Sequence, residues 1–341
     1  MIKIKRIRGI LNDELLNFFI ERRINNLGAL RFFIYVYALL TKGLYVQEHK
    51  NANHHFIPRF LLRKFRITNT GNIFMYTRGK TPAPVSIEKE AAVVPNLYSF
   101  RDKKTKELSD FMEKHIFAYV LEKYGSRIIN RILETDKIEL THLEESVLAS
   151  FIAFQYTRTP RFFFQLELVL TYLVKEKNVM PEEMGKPNFS KDVFINNNYQ
   201  LRPQEIAQFL RKTTPRITGV ENVILRLSTQ IADDISINIF SGELKLLCAE
   251  GSKFFFLSDS PAEIFNFSNG RSVGPFFWEL KNDLLIYLPI SPTRCIYYIC
   301  QISPTYPAIN VSLIEELSLK GIHEFAYSDR NSPIIDNVFK Q

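Results

Sequence analysis

The spacing of hydrophobic residues changes along this chain, and the change predicts the order of its elements. From about residue 106 to 232, apolar residues recur every three or four positions, which is the spacing of helix faces. Between 244 and 328 they form short runs bounded by turn residues, which predict strands. Shorter strands are expected at 72–77 and 96–100. This order favours an α+β fold with a central helical bundle, short N-terminal strands and a C-terminal, mostly antiparallel sheet.

Prolines and turn residues predict where several elements begin. Pro58 is expected at the first position of a helix, where the missing N–H costs nothing. Pro160 should kink or restart the long helical pattern around it. Residues 181–198 are rich in Pro and Asn and predict a loop or lid between helices. A helix over about 310–320 and a strand near Phe325 complete the order.

The first fifty residues have a pattern of their own. We expect residues 1–50 to form a helical extension, and residues 51–341 to form a single α+β domain. The most apolar stretch of the extension is bracketed by Arg31 and Lys42, so it is shorter than the ~20 residues of a spanning helix. Membrane association is therefore not expected. A surface helix, or a face at residues 28–47 that packs on the body or on a protein partner, fits better.

Composition and charge indicate a packed, cytoplasmic protein with a basic N-terminal region. Hydrophobic residues make up 46% of the 341 positions, well clear of the disordered range. The three cysteines are too few for a disulfide framework, which favours a reducing compartment. Residues 1–80 hold 15 Lys and Arg against 4 Asp and Glu, although the whole chain carries only +8. This region could face nucleic acid or another polyanion, or it could be a solvated surface that aids solubility.

The first candidate for chemistry is the pair His54 and His55, just before the helix that Pro58 begins. On a helical wheel, Arg59 falls on one face with Arg63 and Arg66, where guanidinium groups could bind phosphate. Two imidazoles near such a face could act in acid–base chemistry. The alternative is structural, because a histidine can also cap a buried helix end.

Two further motifs place polar groups within apolar elements. Gln155, Arg158 and Thr159 share one face of an aromatic helix, so the guanidinium must meet a carboxylate, backbone carbonyls or a ligand anion. Ser258 and Asp259 end an apolar strand, which suits a catalytic or metal-binding carboxylate but equally an ordinary Asx turn. A fourth motif, Leu288-Pro289-Ile290-Ser291-Pro292, also ends a strand and is expected to be structural.

Together these motifs resemble those of an uncharacterised bacterial family, domain of unknown function 4238. The shared patterns are His-His-x-x-Pro, Gln-x-x-Arg-Thr, Ser-Asp-x-Pro and Pro-x-Ser-Pro, in this order over roughly residues 54–328. The resemblance implies a fold outline and no settled activity. The N-terminal extension lies outside it.

The motifs lead to two functional hypotheses. We expect the histidine pair, Arg158 and Asp259 to converge on one polar cleft, with at least one of the two histidines within about 10 Å of Arg158 and Asp259. As an enzyme, the protein would be a hydrolase of a phosphoester, for instance in nucleic acid; a divalent metal is left open. Its catalytic residues would be His54 or His55 as general base and Asp259 to orient it or hold a metal; its substrate-binding residues would be Arg59, Gln155, Arg158, Thr159 and Ser258. The alternative is a non-catalytic binding module for nucleic acid or an acidic protein partner.

Overall fold

A computed structural model describes residues 52–101, 108–110, 112–184, 186, 189–212, 221–275, 282–300, 306 and 308–340. The predicted helical extension lies outside these ranges, and so does the face at residues 28–47 that is predicted to pack on the body or on a protein partner. The described chain combines antiparallel sheets with helices, which confirms the α+β prediction. None of the helices within the described ranges combines the length and the apolar composition needed to cross a bilayer.

Most helices lie between the first and last groups of strands. Their bounds are α1 Arg59–Leu62, a π-helix Met112–Glu122, α2 Lys123–Thr135, α3 His142–Thr157, α4 Pro160–Lys177, α5 Pro181–Met184, a short π-helix Lys191–Ile195, α6 Pro203–Lys212, α7 Glu221–Phe240, α8 Val311–Gly321 and α9 Pro333–Lys340. The helical part thus begins six residues later than position 106 and continues past 232 to Phe240. The expected loop at 181–198 contains α5 and the short π-helix.

The described strands pair in antiparallel fashion. Their bounds are β1 Asn53–His55, β2 Asn72–Thr77, β3 Ala83–Ser86, β4 Val93–Pro95, β5 Phe100–Arg101, β6 Leu108–Ser109, β7 Glu243–Cys248, β8 Leu257–Ser258, β9 Glu263–Asn266, β10 Arg271–Ser272, β11 Leu284–Ser291, β12 Arg294–Cys300 and β13 Phe325–Ser328. A five-stranded sheet has the order β10-β9-β11-β12-β7, and a four-stranded sheet has the order β3-β2-β13-β8. Two small ribbons, β1-β4 and β5-β6, complete the pairing. Within the predicted β-rich part, the apolar run at 253–258 forms a described strand only at Leu257–Ser258.

The four-stranded sheet joins distant parts of the chain. In it β13, near the C-terminal end, lies between β2 and β8. One hydrophobic core extends from Phe56 to Tyr327 and includes residues from the helices and from both large sheets. A smaller cluster around Tyr76 and Phe339 covers the outer side of β2. The ribbon that carries the histidine pair is therefore attached to the same core as the C-terminal sheet.

Helix α3 positions the second motif. A capping box at its start, formed by Thr141 and Glu144, satisfies two backbone donors. From Leu148 to Thr157 every residue is buried, because α3 packs on α7 and α4 at the centre of the molecule. Arg158 ends α3, and Thr159 then caps α4 by accepting the Phe162 N–H at 3.2 Å. A new helix starts at Pro160, which confirms the predicted restart.

The helix after the histidine pair is shorter than predicted. Pro58 is its N-cap rather than its first residue, since the Pro58 carbonyl accepts the first helical N–H groups and its ψ is 136°. The helix tightens into a 3₁₀ turn over Arg63–Phe65, and Arg66 is already extended with ψ 149°. Arg66 therefore does not continue the helical face of Arg59 and Arg63. The wheel prediction is wrong for this residue because the helix ends before it.

Candidate functional site

Strand β1 carries both histidines into the interior. His54 is 2% exposed and His55 is 6% exposed. Successive side chains of a strand point to opposite faces, so the two rings have different surroundings. His54 Nδ1 accepts the Tyr98 N–H at 2.9 Å, and the two rings stack with centroids 5.5 Å apart. His55 Nε2 lies 3.1 Å from the Ile87 carbonyl oxygen, to which it donates.

These contacts determine the chemical form of His54. Because Nδ1 accepts a hydrogen bond, the proton of the neutral ring is on Nε2. This Nε2 is buried and has no hydrogen-bond partner among the residues that the structure describes. Burial lowers the pKa of His54 to about 4, so the ring is neutral at physiological pH. A group with so low a pKa is a weak general base but a ready N–H donor.

Arg158 lies at the centre of a buried polar cluster. Its side chain is 1% exposed, and its Nη2 donates to Glu122 Oε1 at 2.8 Å. The guanidinium lies over the rings of Phe117 and Tyr98, 5.2 and 5.9 Å from their centroids. With its amide oxygen turned inward, Gln155 accepts from Nε and Nη2 at 3.2 Å. The predicted polar face of Gln155 and Arg158 is thus used, yet Nη1 has no described partner.

A second carboxylate, Glu113, faces the same guanidinium. Burial raises the pKa of Glu113 to about 7, and Arg158 opposes this rise. Its Oε2 is buried and unpaired within the described ranges. We call His54, Tyr98, Glu113, Glu122, Gln155 and Arg158 the His54–Arg158 cluster.

The geometry of the π-helix explains why the sequence did not reveal the two glutamates. Glu113 and Glu122 are nine residues apart, which is two and a half turns of an α-helix and would place them on opposite faces. A π-helix has roughly 4.4 residues per turn, so nine residues make about two turns and the side chains share a face. Only the wider helix brings both carboxylates to Arg158. Hydrophobic periodicity at the α-helical spacing carries no signal for this arrangement.

The surface beside His55 carries a group of three charges that we call the arginine fork. Arg59 Nη1 donates to Glu88 Oε2 at 2.9 Å, and Arg63 Nε donates to Glu88 Oε1 at 3.1 Å, with a further contact from its Nη2. The three side chains are 54%, 53% and 45% exposed. Burial lowers the pKa of His55, Arg59 adds to this effect, and Glu122 and Glu88 oppose it. His55 thus lies within electrostatic reach of both the fork and the buried cluster.

Asp259 is held by the backbone rather than by an imidazole. Its Oδ1 accepts the His323 N–H at 3.2 Å, and its Oδ2 accepts the N–H groups of Glu324 and Phe325 at 2.6 and 3.3 Å. Burial raises the pKa of Asp259, and these three hydrogen bonds oppose the rise. Ser258 Oγ donates to the Ser260 carbonyl at 2.7 Å, so the motif closes a tight local turn.

A second buried ion pair lies next to Asp259. Arg161 Nη1 donates to Glu263 Oε1 and to the Gly321 carbonyl, both at 2.8 Å. Burial raises the pKa of Glu263 to about 7, and Arg161 opposes the rise. Thr159 lines a small pocket with Arg161 and Glu263, which also includes Tyr156, Phe162, Gln165, Ser260 and Val273. We call Asp259, Arg161, Glu263 and this pocket the Asp259–Glu263 cluster.

The structure therefore distributes the predicted site residues over two clusters and a surface fork. His54, Gln155 and Arg158 come together in the first cluster, with His55 between it and the fork that holds Arg59. Ser258, Asp259 and Thr159 belong to the second. Convergence of at least one of the two histidines with Arg158 and Asp259 within about 10 Å stays a prediction. Within the described ranges, no group of three His, Cys, Asp or Glu side chains is placed to hold a metal ion.

A protein-family model described as "Protein of unknown function (DUF4238)" matches residues 53–311. The chain belongs to this family. The match contains all four sequence motifs, so the resemblance stated from them is confirmed. Both clusters draw most of their residues from the matched range, while the three residues whose amides bind Asp259 lie beyond it. No curated protein and no solved structure matches the chain.

Proposed function

We propose that this DUF4238 protein is a hydrolase that cleaves a phosphoester at the His54–Arg158 cluster. One observation supports the proposal above all: three buried atoms of the cluster have no partner among the described residues. They are the donors His54 Nε2 and Arg158 Nη1 and the acceptor Glu113 Oε2. A buried polar atom without a hydrogen bond is destabilising, so folded proteins rarely retain several in one place. An anionic ligand oxygen would satisfy either of the two donors, and a ligand group with a transferable proton would satisfy Glu113 Oε2.

The cluster contains the groups that phosphoester hydrolysis needs. Arg158 and the His54 N–H would donate to the non-bridging oxygens, where negative charge increases in the transition state. Glu113, with a pKa of about 7, would accept a proton from the attacking water and return it to the leaving oxygen. One P–O bond forms to water, one P–O bond to the leaving group breaks, and the proton ends on the leaving group. This chemistry assigns the acid–base role to Glu113 rather than to an imidazole.

The remaining predicted residues receive different roles. His55 would respond to charge in both the arginine fork and the buried cluster, since Arg59, Glu88 and Glu122 all act on its pKa. Asp259 would support the fold, because three backbone amides occupy its two oxygens.

Replacement of Glu113 tests the proposal. Glu113→Gln keeps the size of the side chain and removes the titrating proton, so we expect kcat to fall about 100-fold or more. The assay follows cleavage of bis(p-nitrophenyl) phosphate and of single-stranded oligonucleotides, with and without added divalent metal ions. The matched control is Glu263→Gln, which changes a more deeply buried glutamate whose pKa is raised to a similar value.

Two results would contradict the proposal. One is a wild-type protein that cleaves no phosphoester under any of these conditions. The other is a Glu113→Gln variant that is folded by circular dichroism and retains the wild-type rate. Loss of activity in Glu263→Gln alone would place the chemistry in the other cluster.

The non-catalytic alternative also has an observation in its favour. Arg59, Arg63 and Arg66 are exposed in one short segment, within the basic first quarter of the chain. A nucleic-acid-binding module would bind with an affinity that falls steeply as salt rises, since each neutralised phosphate releases counterions. Reversal of these three charges would weaken binding, and reversal of Lys175 and Lys177 on α4 would not. Binding without cleavage would favour the module over the enzyme.

We infer a cytoplasmic location for this activity. All three cysteines, Cys248, Cys295 and Cys300, are free thiols. Free thiols are the usual state of cysteine in reducing compartments.

A further inference from the structure

The arginine fork has a geometry that suits a phosphate group. Arg59 and Arg63 are four residues apart on consecutive turns, and their guanidinium groups approach the two oxygens of one carboxylate. Guanidinium groups bind phosphate and carboxylate through the same pairs of parallel N–H donors. The fork therefore already holds an anion, and that anion is the side chain of Glu88.

Glu88 satisfies the fork only in part. It supplies one negative charge against two positive charges, and two oxygens for two guanidinium groups with five N–H donors each. All three side chains are about half exposed, and exposed ion pairs contribute little to stability. A phosphate monoester at neutral pH offers up to two negative charges and three acceptor oxygens. It would match the charge of the fork and exchange with Glu88 at small cost.

The backbone connects the fork to the proposed reaction site. The residue before Glu88 is Ile87, whose carbonyl accepts the hydrogen bond from His55 Nε2 at 3.1 Å. The charge of Glu122, the partner of Arg158, also acts on the pKa of His55. A ligand in the fork would thus lie next to the histidine that adjoins the buried cluster.

We propose that Arg59 and Arg63 bind a terminal phosphate monoester of the substrate in place of Glu88. This inference rests on the proposed function, because the bound molecule is a substrate only if the His54–Arg158 cluster cleaves phosphoesters. That class consists of molecules with a second, terminal phosphate beside the scissile ester. An oligonucleotide with a phosphorylated end and a small nucleoside bisphosphate both have this chemistry.

Fluorescence anisotropy with the full-length protein tests the fork. Two labelled oligonucleotides of one sequence are compared, one with a 5′-phosphate and one with a 5′-hydroxyl, and a nucleoside 3′,5′-bisphosphate is added as competitor. We expect tighter binding of the phosphorylated probe. Glu88→Gln should raise that affinity roughly threefold or more, because the resident anion loses its charge. Arg59→Gln and Arg63→Gln should abolish the preference for the phosphate, whereas Arg66→Gln, an exposed arginine outside the fork, should preserve it.

The outcomes separate the fork from the reaction. Equal binding of both oligonucleotides, or a preference that survives in Arg59→Gln and Arg63→Gln, would overturn the fork. Competition by the bisphosphate identifies small nucleotides as ligands, and its absence identifies oligonucleotide ends; either result supports the fork when the arginine variants lose the preference. Cleavage of the 5′-hydroxyl oligonucleotide reports on the hydrolase alone. Lack of cleavage together with a phosphate preference would reject the hydrolase and retain the fork as a binding site.

Discussion

The two buried clusters contain the same kinds of groups and use them differently. Each has an arginine between two carboxylates: Arg158 with Glu122 and Glu113, and Arg161 with Glu263 near Asp259. In each, burial raises the pKa of one glutamate to about 7. In the Asp259–Glu263 cluster, backbone groups bind both oxygens of the aspartate and one nitrogen of the arginine. In the His54–Arg158 cluster, three atoms remain unpaired within the described part of the chain.

The difference shows that a raised pKa does not by itself identify a reactive site. Burial alone raises the pKa of a carboxyl group, and both clusters are buried. What distinguishes them is the unused hydrogen-bonding capacity of His54, Arg158 and Glu113. Paired polar groups stabilise the fold, whereas unpaired ones can bind a water molecule, an ion or a ligand.

Removal of the Asp259 carboxylate should have the largest effect on stability. Asp259→Ala leaves the amides of His323, Glu324 and Phe325 without their acceptor, so we expect the free energy of unfolding to fall by about 3–5 kcal/mol. Urea denaturation at pH 7 measures it. The matched change in the other cluster, Glu113→Gln, should cost about 1 kcal/mol or less, because Oε2 has no described partner to lose. Equal losses in the two variants would refute the contrast.

Glu113 should make the stability of the protein depend on pH. Because the pKa of Glu113 is raised from 4.5 to about 7, the native state binds more protons than the unfolded chain between these values. The stability that this group contributes is fully present below its unfolded pKa and is lost as the pH rises through about 7. Glu113→Gln removes the titration, so its stability relative to wild type should increase by about 1–3 kcal/mol from pH 4.5 to 7.5.

His54 and Glu263 supply the controls for that titration. The pKa of His54 is lowered from 6.5 to about 4, so its contribution is present above pH 6.5 and lost as the pH falls. His54→Gln should therefore show the opposite slope. Glu263→Gln should show the same slope as Glu113→Gln, because the pKa of Glu263 is also raised to about 7, and it should be less stable than wild type because Arg161 loses its charged partner. A flat difference for Glu113→Gln would mean that this glutamate does not titrate in the native state.

Substitution of Tyr98 by Phe should have a smaller effect on stability, because it removes only one hydroxyl group. Its hydroxyl donates to the Arg158 carbonyl at 2.7 Å, while its ring stacks on His54. Tyr98→Phe keeps the ring and should lower the free energy of unfolding by about 1–2 kcal/mol. Tyr306→Phe removes a hydroxyl whose contacts within the described ranges are both 3.4 Å long, and it should change the free energy of unfolding by less than about 0.5 kcal/mol. An unchanged unfolding midpoint for Tyr98→Phe would show that this hydroxyl does not stabilise the fold.

Much of the architecture follows from patterns that the sequence carries locally. The restart at Pro160, the strand at Phe325 and the α+β class rest on turn residues and apolar spacing, and the structure has them. The partner of Arg158 could not be found in this way. Glu122 contacts Arg158 from the π-helix, and Tyr98 contacts it from a turn that precedes the π-helix. Such contacts depend on tertiary packing and on an uncommon helix type, which local periodicity does not encode.

The sequence places Asp259 at the end of a strand and leaves two roles open for it. A carboxylate at a strand end serves either catalysis or a turn, and residue type alone does not separate them. The backbone amides that bind its oxygens come from residues 323–325, more than sixty positions away. Only the packing of β13 beside β8 brings these amides to the carboxylate.

The most direct test of the central claim is the NMR signal of the His54 ring nitrogens. Protein labelled with ¹⁵N-histidine is titrated with a non-hydrolysable phosphorothioate oligonucleotide, and His54→Gln assigns the resonance. We predict that the His54 Nε2 signal shifts on addition, that Arg158→Ala abolishes the shift, and that Arg161→Ala leaves it intact. A His54 signal that does not move while the ligand binds, or a shift that depends on Arg161 and not on Arg158, would contradict the account.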